Sequence, residues 1–188
     1  MNFRIKKISG VLFMTGMVAL AGCSHPKVWV YDDSPKQTAA RQHTVDVLRA
    51  NGVQVFTQGE SVKMILPSSS VFNTNSADLL DQAKPLLTQI AVVIKSFSVV
   101  NVAVNVYADA RAWEGDPASR NDKLILTNQQ SQVIEKYLWS QGINTRFLSA
   151  EGQGDASPVA WNGTPKGRSF NRRVEITFNF TPHLVSYN

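Results

Sequence analysis

Apolar and polar positions along this chain repeat with two periods, and the periods lay out its elements. Over "VVNVAVNVYAD" the alternation is one by one: Val100, Val102, Val104 and Val106 face one way, and Asn101, Asn105, Tyr107 and Asp109 the other. Period two is the signature of a strand with unlike faces. "RRVEITFNF" repeats it, with Val174, Ile176, Phe178 and Phe180 inward. "VQVFTQGESVKMIL" predicts two short strands, Val53 to Thr57 and Ser61 to Leu66, joined through Gly59, and "TRFLSAEG" predicts another. Between these the period lengthens. "TAARQHTVDVLRAN" has Ala39, Val45 and Leu48 at helical spacing and stops at Asn51-Gly52. "SADLLDQAKPLLTQIAVVIKSF" carries Leu79, Ala83, Leu86, Ile90 and Val93 on one stripe, with Asp78 and Asp81 in its first turn and Pro85 predicting a bend or a late start. A further helix presents Gln130, Val133, Ile134, Tyr137 and Leu138 and ends near Gln141-Gly142. The expected fold is α/β, an α+β sandwich: a mixed sheet with helices packed on it, in strand-helix-strand-helix-strand order.

The amino-terminal pattern is of another kind. Arg4, Lys6 and Lys7 precede the apolar run "ISGVLFMTGMVALAG", which ends in small residues. Its length and flanks fit a secretory signal peptide and fall short of a membrane span. "LAGC", Leu20 to Cys23, resembles a bacterial lipobox. That resemblance implies removal of residues 1–22 and acylation of Cys23, with Ser24 in the next position pointing to the periplasmic face of the outer membrane. Two or more acyl chains on one residue give stable anchoring where a single chain is marginal. Residues 23–37, with two prolines and no sustained period, are read as a tether; Trp29 and Tyr31 within it are unusual for a plain linker. The domain proper is expected over 38–180, with a short tail over 181–188.

The leader changes the charge argument. Three of the 19 Lys and Arg and none of the 14 acidic residues fall in 1–22, which leaves 16 against 14, a formal charge of +2. Nucleic acid is therefore not an expected partner. Cys23 is the single cysteine, so no disulfide is expected. The three histidines, His25, His43 and His183, are scattered. No triad, metal centre, P-loop or dinucleotide fingerprint is spelled out, so neither catalysis nor a cofactor is expected.

The last third carries a specific resemblance. "EGQGDASPVAWNGTPKGRSFNRRVEITF" resembles the end of an OmpA-like domain: Gly152 and Gly154, then Pro158, Asn162, Gly167-Arg168 and Asn171 to Ile176 match its G-x-G, proline, asparagine and "GR..NRRVEI". "MILPSSSVFNTNSADL" and "YLWSQGINTRFLSAEGQG" resemble stretches upstream, so the likeness spans 53–180. With the lipobox, the chain resembles the peptidoglycan-associated lipoproteins and the small OmpA-like lipoproteins of type IVB secretion apparatuses.

That resemblance implies non-covalent binding of the diaminopimelate-containing peptide stem of peptidoglycan. Such a stem offers an ammonium and carboxylates, which call for one fixed carboxylate and one guanidinium. The family's strand-end aspartate maps to Asp109. Its helix arginine maps, through Tyr137-Leu138, to Gln130, so that charge is missing; the loop between is also several residues longer than the family's. Arg111 or Arg120 in the long loop, or Arg172 and Arg173, are the candidate replacements. For Arg172 and Arg173 an ion pair to Asp109 or Glu175 is an equal alternative, and Lys166 and Arg168 add a local basic patch. Two roles stay open: a tether between outer membrane and cell wall, and a structural part of an envelope-spanning secretion complex with other envelope proteins as partners.

Overall fold

The structure, a computed structural model, describes residues 28–31, 35–110, 117–181 and 184–187. Among these residues the α-helices are α1 (Pro35–Ala50), α2 (Ala83–Lys95), α3 (Pro117–Ser140) and α4 (Pro165–Asn171). The strands are β1 (Val28–Tyr31), β2 (Gln54–Gln58), β3 (Ser61–Pro67), β4 (Ser98–Tyr107), β5 (Leu148–Gly154), β6 (Arg173–Thr181) and β7 (Leu184–Tyr187).

Five strands form one mixed sheet in the order β2-β3-β6-β4-β5. β2-β3, β3-β6 and β6-β4 are antiparallel, and β4-β5 is parallel through the α3 crossover. Val104 of β4 lies beside Ile176 of β6, which in turn lies beside Met64 of β3. All three are fully buried, with Val102, Val106, Val174 and Phe178 on the same face. Leu48, Leu87, Ile90, Ile94, Ile134 and Leu138 of α1, α2 and α3 close the other side of this core. The mixed α/β architecture is the one the periodicity predicts.

Three details depart from the sequence reading. Val100 is 52% exposed, because the β4–β6 register shifts between Val99 and Asn101 and takes it out of the alternation. The long apolar stripe has the late start that Pro85 allowed, at Ala83, with Pro85 in the first turn where its missing N–H costs nothing; the departure is that Asp78, Leu79 and Asp81 fall before the helix, Leu79 bridging to Phe72. The expected tether supplies strand β1 and, from Pro35, the first residues of α1; β1 pairs antiparallel with β7 from the expected tail. The signal segment, Cys23 and Arg111 lie outside the described residues.

α3 and β5 meet unusually closely, and this contact positions the site. A Cβ on Gly152 would fall 2.1 Å from the Asn128 backbone nitrogen and 2.5 Å from the Thr127 carbonyl carbon. Only glycine admits that approach. The helix answers with short polar side chains: Asn128 Oδ1 accepts from Gly152 N at 2.8 Å, and Thr127 Oγ1 accepts from Gly154 N at 3.0 Å.

Candidate functional site

The polypeptide leaves β4 at Tyr107 and is held at Ala108 and at Ala110. Ala108 N donates to Gly154 O at 2.6 Å, and Ala110 N donates to Asn162 Oδ1 at 3.1 Å. Asp109 sits between these two ties. Asn162 is itself fixed, accepting from Asn171 Nδ2 at 2.8 Å, while the buried Asn171 accepts from Val159 N and Ala160 N at 2.8 and 2.9 Å. Thr164 caps α4 by accepting from Gly167 N, and a Cβ on Gly167 would overlap the Trp161 carbonyl oxygen. The glycine, asparagine and arginine pattern of residues 152–173 is thus largely a brace for the loop that carries Asp109.

Asp109 lines an open cleft of about 430 Å³ between the carboxyl end of β4, α3 and the start of β6. Its other walls include Ser68, Asn75, Asp122, Lys123, Gln130 and Arg172. Three of the residues singled out in the sequence, Asp109, Gln130 and Arg172, therefore share one cavity. Asp109 Oδ2 lies 3.0 Å from Arg172 Nη1 and 3.6 Å from Arg168 Nε, with the Asp109 side chain 14% exposed. Arg168 is immobilised by donating from Nη1 to Asn162 O at 2.9 Å. Gln130, 7% exposed, donates from Nε2 to Ser76 O at 2.7 Å and so ties α3 to the 73–78 loop. Asp109 Oδ2 and Ser68 Oγ are both buried and have no hydrogen-bond partner among the described residues. Asp109 Oδ2, though paired in charge with Arg172, thus keeps acceptor capacity beside the cavity, as does Ser68 Oγ.

The remaining candidates go elsewhere. Arg173 is buried and turned from the cleft: Nε donates to Glu175 Oε1 at 2.7 Å, Nη1 and Nη2 donate to the carbonyls of Asn171 and Ser157, and the guanidinium stacks 3.8 Å from the Tyr107 ring centre. Lys63 reaches the other Glu175 oxygen at 3.0 Å. Burial pushes the Glu175 carboxyl up, but the hydrogen bonds and charges of Arg173 and Lys63 outweigh it and hold the group below the ordinary glutamate range. Arg173 is thus committed to the ion pair that was one of its two readings. Arg120, 75% exposed, lies 3.9 Å from Asp155, too long for a hydrogen bond, and does not line the cleft.

Sequence reasoning missed Ser68, Asn75 and Lys123. Asn75 had a signal: an asparagine in the polar run "NTNSAD", and its φ is +53°, a left-handed conformation that asparagine tolerates better than most residues. Ser68 had none, since its place depends on Ser68 N donating to Arg172 O across the sheet end at 3.0 Å. Among the described residues, no group of three or more His, Cys, Asp or Glu could hold a metal ion.

Comparison with known proteins gives the family and the fold likeness. The OmpA family profile matches residues 71–172, over half of the chain, which therefore belongs to the OmpA family. The probable lipoprotein YiaD of Escherichia coli is 30% identical over 134 residues, 71% of this chain and 58% of YiaD. The peptidoglycan-binding protein ArfA of Mycobacterium tuberculosis is 31% identical over 108 residues, 57% of this chain and 31% of ArfA. This chain therefore spans about half of YiaD and a third of ArfA. Among solved structures, the cell wall anchor of the type VI secretion system from Pseudomonas aeruginosa superposes with a TM-score of 0.64 at 27% identity, covering 74% of this chain and 96% of that one.

Proposed function

We propose that this OmpA-family chain is a lipid-anchored protein of the outer membrane whose Asp109 cleft holds the peptide stem of peptidoglycan without a covalent bond. The observation that carries the reading is the braced Asp109 carboxylate on a cavity with an unsatisfied oxygen. A fixed carboxylate in a half-dry site is what an ammonium group requires, and it costs no reorganisation on binding. The names of two matched proteins, a peptidoglycan-binding protein and a cell wall anchor, support the ligand class. The "LAGC" motif supports acylation at Cys23, and with it the anchor. The role is one of binding and structure, not catalysis.

A finer role is favoured by what the cleft lacks. Gln130 stands where the family resemblance calls for arginine, and the missing charge-assisted pair weakens binding by ~1.5–3 kcal/mol, about ten- to a hundredfold. Weakened wall binding and a lengthened loop suit a part of a larger envelope complex. The likeness to a secretion system's wall anchor points the same way. On this reading the chain is a component of an envelope-spanning secretion complex of the type IVB kind, in the manner of the DotK (IcmN) lipoprotein that its sequence resembles. The alternative is a general tether between outer membrane and cell wall.

The test is co-sedimentation of the purified protein with insoluble peptidoglycan. Retention in the pellet, lost on adding excess soluble stem peptide, is the expected result. A protein that stays in the supernatant at every load is a protein-docking module, and the wall-binding reading fails.

A further inference from the structure

β2 is one edge of the five-stranded sheet, and it lacks the devices that keep an edge from pairing. Its sequence, "QVFTQ", has no charge and no proline, and its register with β3 runs unbroken from Gln54 to Gln58. The other edge, β5, has an exposed Glu151, a register shift against β4, and Gly152 pressed against α3.

The backbone of β2 is half used. The β2–β3 hairpin turns through two residues, Gly59-Glu60, and closes on the pair Gln58 and Ser61. The closing pair of such a hairpin exchanges both its hydrogen bonds, and by alternation Phe56 and Gln54 do the same. Val55 and Thr57 therefore aim their N–H and C=O groups away from the sheet. One contact agrees with this: Val55 O accepts from Arg49 Nη2 at 3.3 Å. Among the described residues, that long bond to a half-exposed side chain is the only one on the outer side of β2. The side chains alternate too. Val55 packs against the core, so Phe56 stands on the opposite face, 53% exposed, beside Lys63 of β3.

The order of residues carries this further. Outwards from Phe56 the strand reads alike in both directions, save that valine answers threonine, both β-branched. Paired antiparallel with itself about Phe56, β2 sets Phe56 against Phe56, each Gln54 against Gln58 and each Val55 against Thr57. That is the self-complementarity a twofold interface demands. The backbone parity fits as well. Val55 and Thr57, with their outward groups, become the hydrogen-bonded pairs. Phe56 falls in a non-hydrogen-bonded pair, where opposed side chains lie closest.

We propose that β2 is a docking edge for a second copy of this chain, the two strands pairing antiparallel about a twofold axis at Phe56 and joining two five-stranded sheets into one. The ladder adds about four backbone hydrogen bonds and displaces the Arg49 contact on each side. It covers the two exposed phenylalanines with one another. Five residues from each copy make a small interface, so the dimer is weak and reversible. β3 and β6 lie between β2 and β4, the strand that leads to Asp109, so both clefts stay open. The dimer goes beyond the wall-binding reading and does not depend on it.

Cysteine cross-linking of the full chain in membranes tests this, with the parent chain, whose single cysteine is Cys23, as the background. Gln54, Phe56 and Gln58 are all exposed, so substitutions there leave the core intact. Phe56→Cys is expected to give a disulfide-linked dimer on mild oxidation, because opposed Cβ atoms in such a pair lie about 4.5–5.5 Å apart. Gln54→Cys and Gln58→Cys keep the phenylalanine pair. Each is expected to cross-link poorly alone and strongly when the two chains, marked by tags of different size, are expressed together. Adding Phe56→Lys to both is expected to return that mixed cross-link to background, since it sets two ammonium groups face to face. Peptidoglycan co-sedimentation of Phe56→Lys is expected to match the wild type. Cross-linking at background both for Phe56→Cys and for the mixed pair overturns the dimer and leaves the edge to a strand of another protein. Gln54→Cys alone cross-linking as well as the mixed pair overturns the register and the proposal with it. A mixed cross-link that survives Phe56→Lys overturns it too.

Discussion

Gln130 of α3 reaches the backbone of the 73–78 loop, its Nε2 donating to the Ser76 carbonyl oxygen at 2.7 Å. A neutral side chain here does a mechanical task, holding one wall of the cleft, at the position where the family pattern calls for a charge. An arginine at this position keeps a donor for Ser76 and adds a guanidinium to the cavity. Gln130→Arg is therefore expected to strengthen peptidoglycan co-sedimentation about tenfold. No gain would mean that position 130 is not within reach of the ligand.

The Gly152 contact makes a sharper stability prediction. Gly152→Ala drives a methyl group into the Asn128 backbone, which cannot rotate away. The helix must lift from β5, breaking the Gly152–Asn128 and Gly154–Thr127 hydrogen bonds. A loss of ~2–4 kcal/mol in urea unfolding is expected, with weakened wall binding, because Gly154 also holds Ala108 beside Asp109. A variant as stable as the wild type would show that α3 and β5 are not packed this closely.

The core prediction concerns Val104 and Ile176, neighbours across the β4–β6 ladder and both fully buried. Truncating either to alanine is expected to cost ~1–4 kcal/mol. The two losses should not add, since the side chains share surroundings. Neutral effects at both positions in chemical denaturation would contradict the observed sheet faces.

The alternation of β4 and β6 made these faces legible in the sequence, because a half-buried strand must alternate. It failed at Val100, where a register shift, a property of two strands together, breaks the period. The stop signals at Gly52 and Gly142 were equally legible, since both adopt the left-handed φ that ends a helix. Strand β1 was not, because its partner β7 is over 150 residues away in the chain and neither alone is long enough to declare itself. For the site, Asp109 was singled out through its match to the family's strand-end aspartate, and the structure places it on the cleft. The division of labour between Arg172 and Arg173 was not legible. Arg173 opens β6 and the extended Arg172 precedes it, so the two side chains point to opposite faces, but which face holds the cleft depends on how α3 packs on the sheet.

Glu175 is expected to contribute to the acid limb of stability. Its carboxyl is held below the ordinary glutamate range in the folded protein. A depressed carboxylate contributes stability that is present above its unfolded pKa and is lost as pH falls through its folded one. Glu175→Gln leaves Arg173 buried without its counter-charge and is expected to cost ~3–5 kcal/mol at pH 7. The gap between variant and wild type should close as the pH is lowered below about 4. A gap independent of pH between 7 and 3, followed by urea unfolding at each pH, would show that Glu175 does not act through its charge.

Anchoring is tested through Cys23. Cys23→Ser is expected to remove acylation and release the protein from the outer-membrane fraction. Membrane fractionation that leaves the variant in the outer membrane, together with no uptake of labelled palmitate by the wild type, would contradict the lipid anchor.

The central claim is that the Asp109 carboxylate is the group that holds the cell wall. Its most direct test is a pair of binding isotherms on the same purified peptidoglycan, one for the wild type and one for Asp109→Ala, with thermal unfolding confirming that both are folded. Saturable binding by the wild type and a loss of at least tenfold in Asp109→Ala are predicted. Superimposable isotherms would contradict the account.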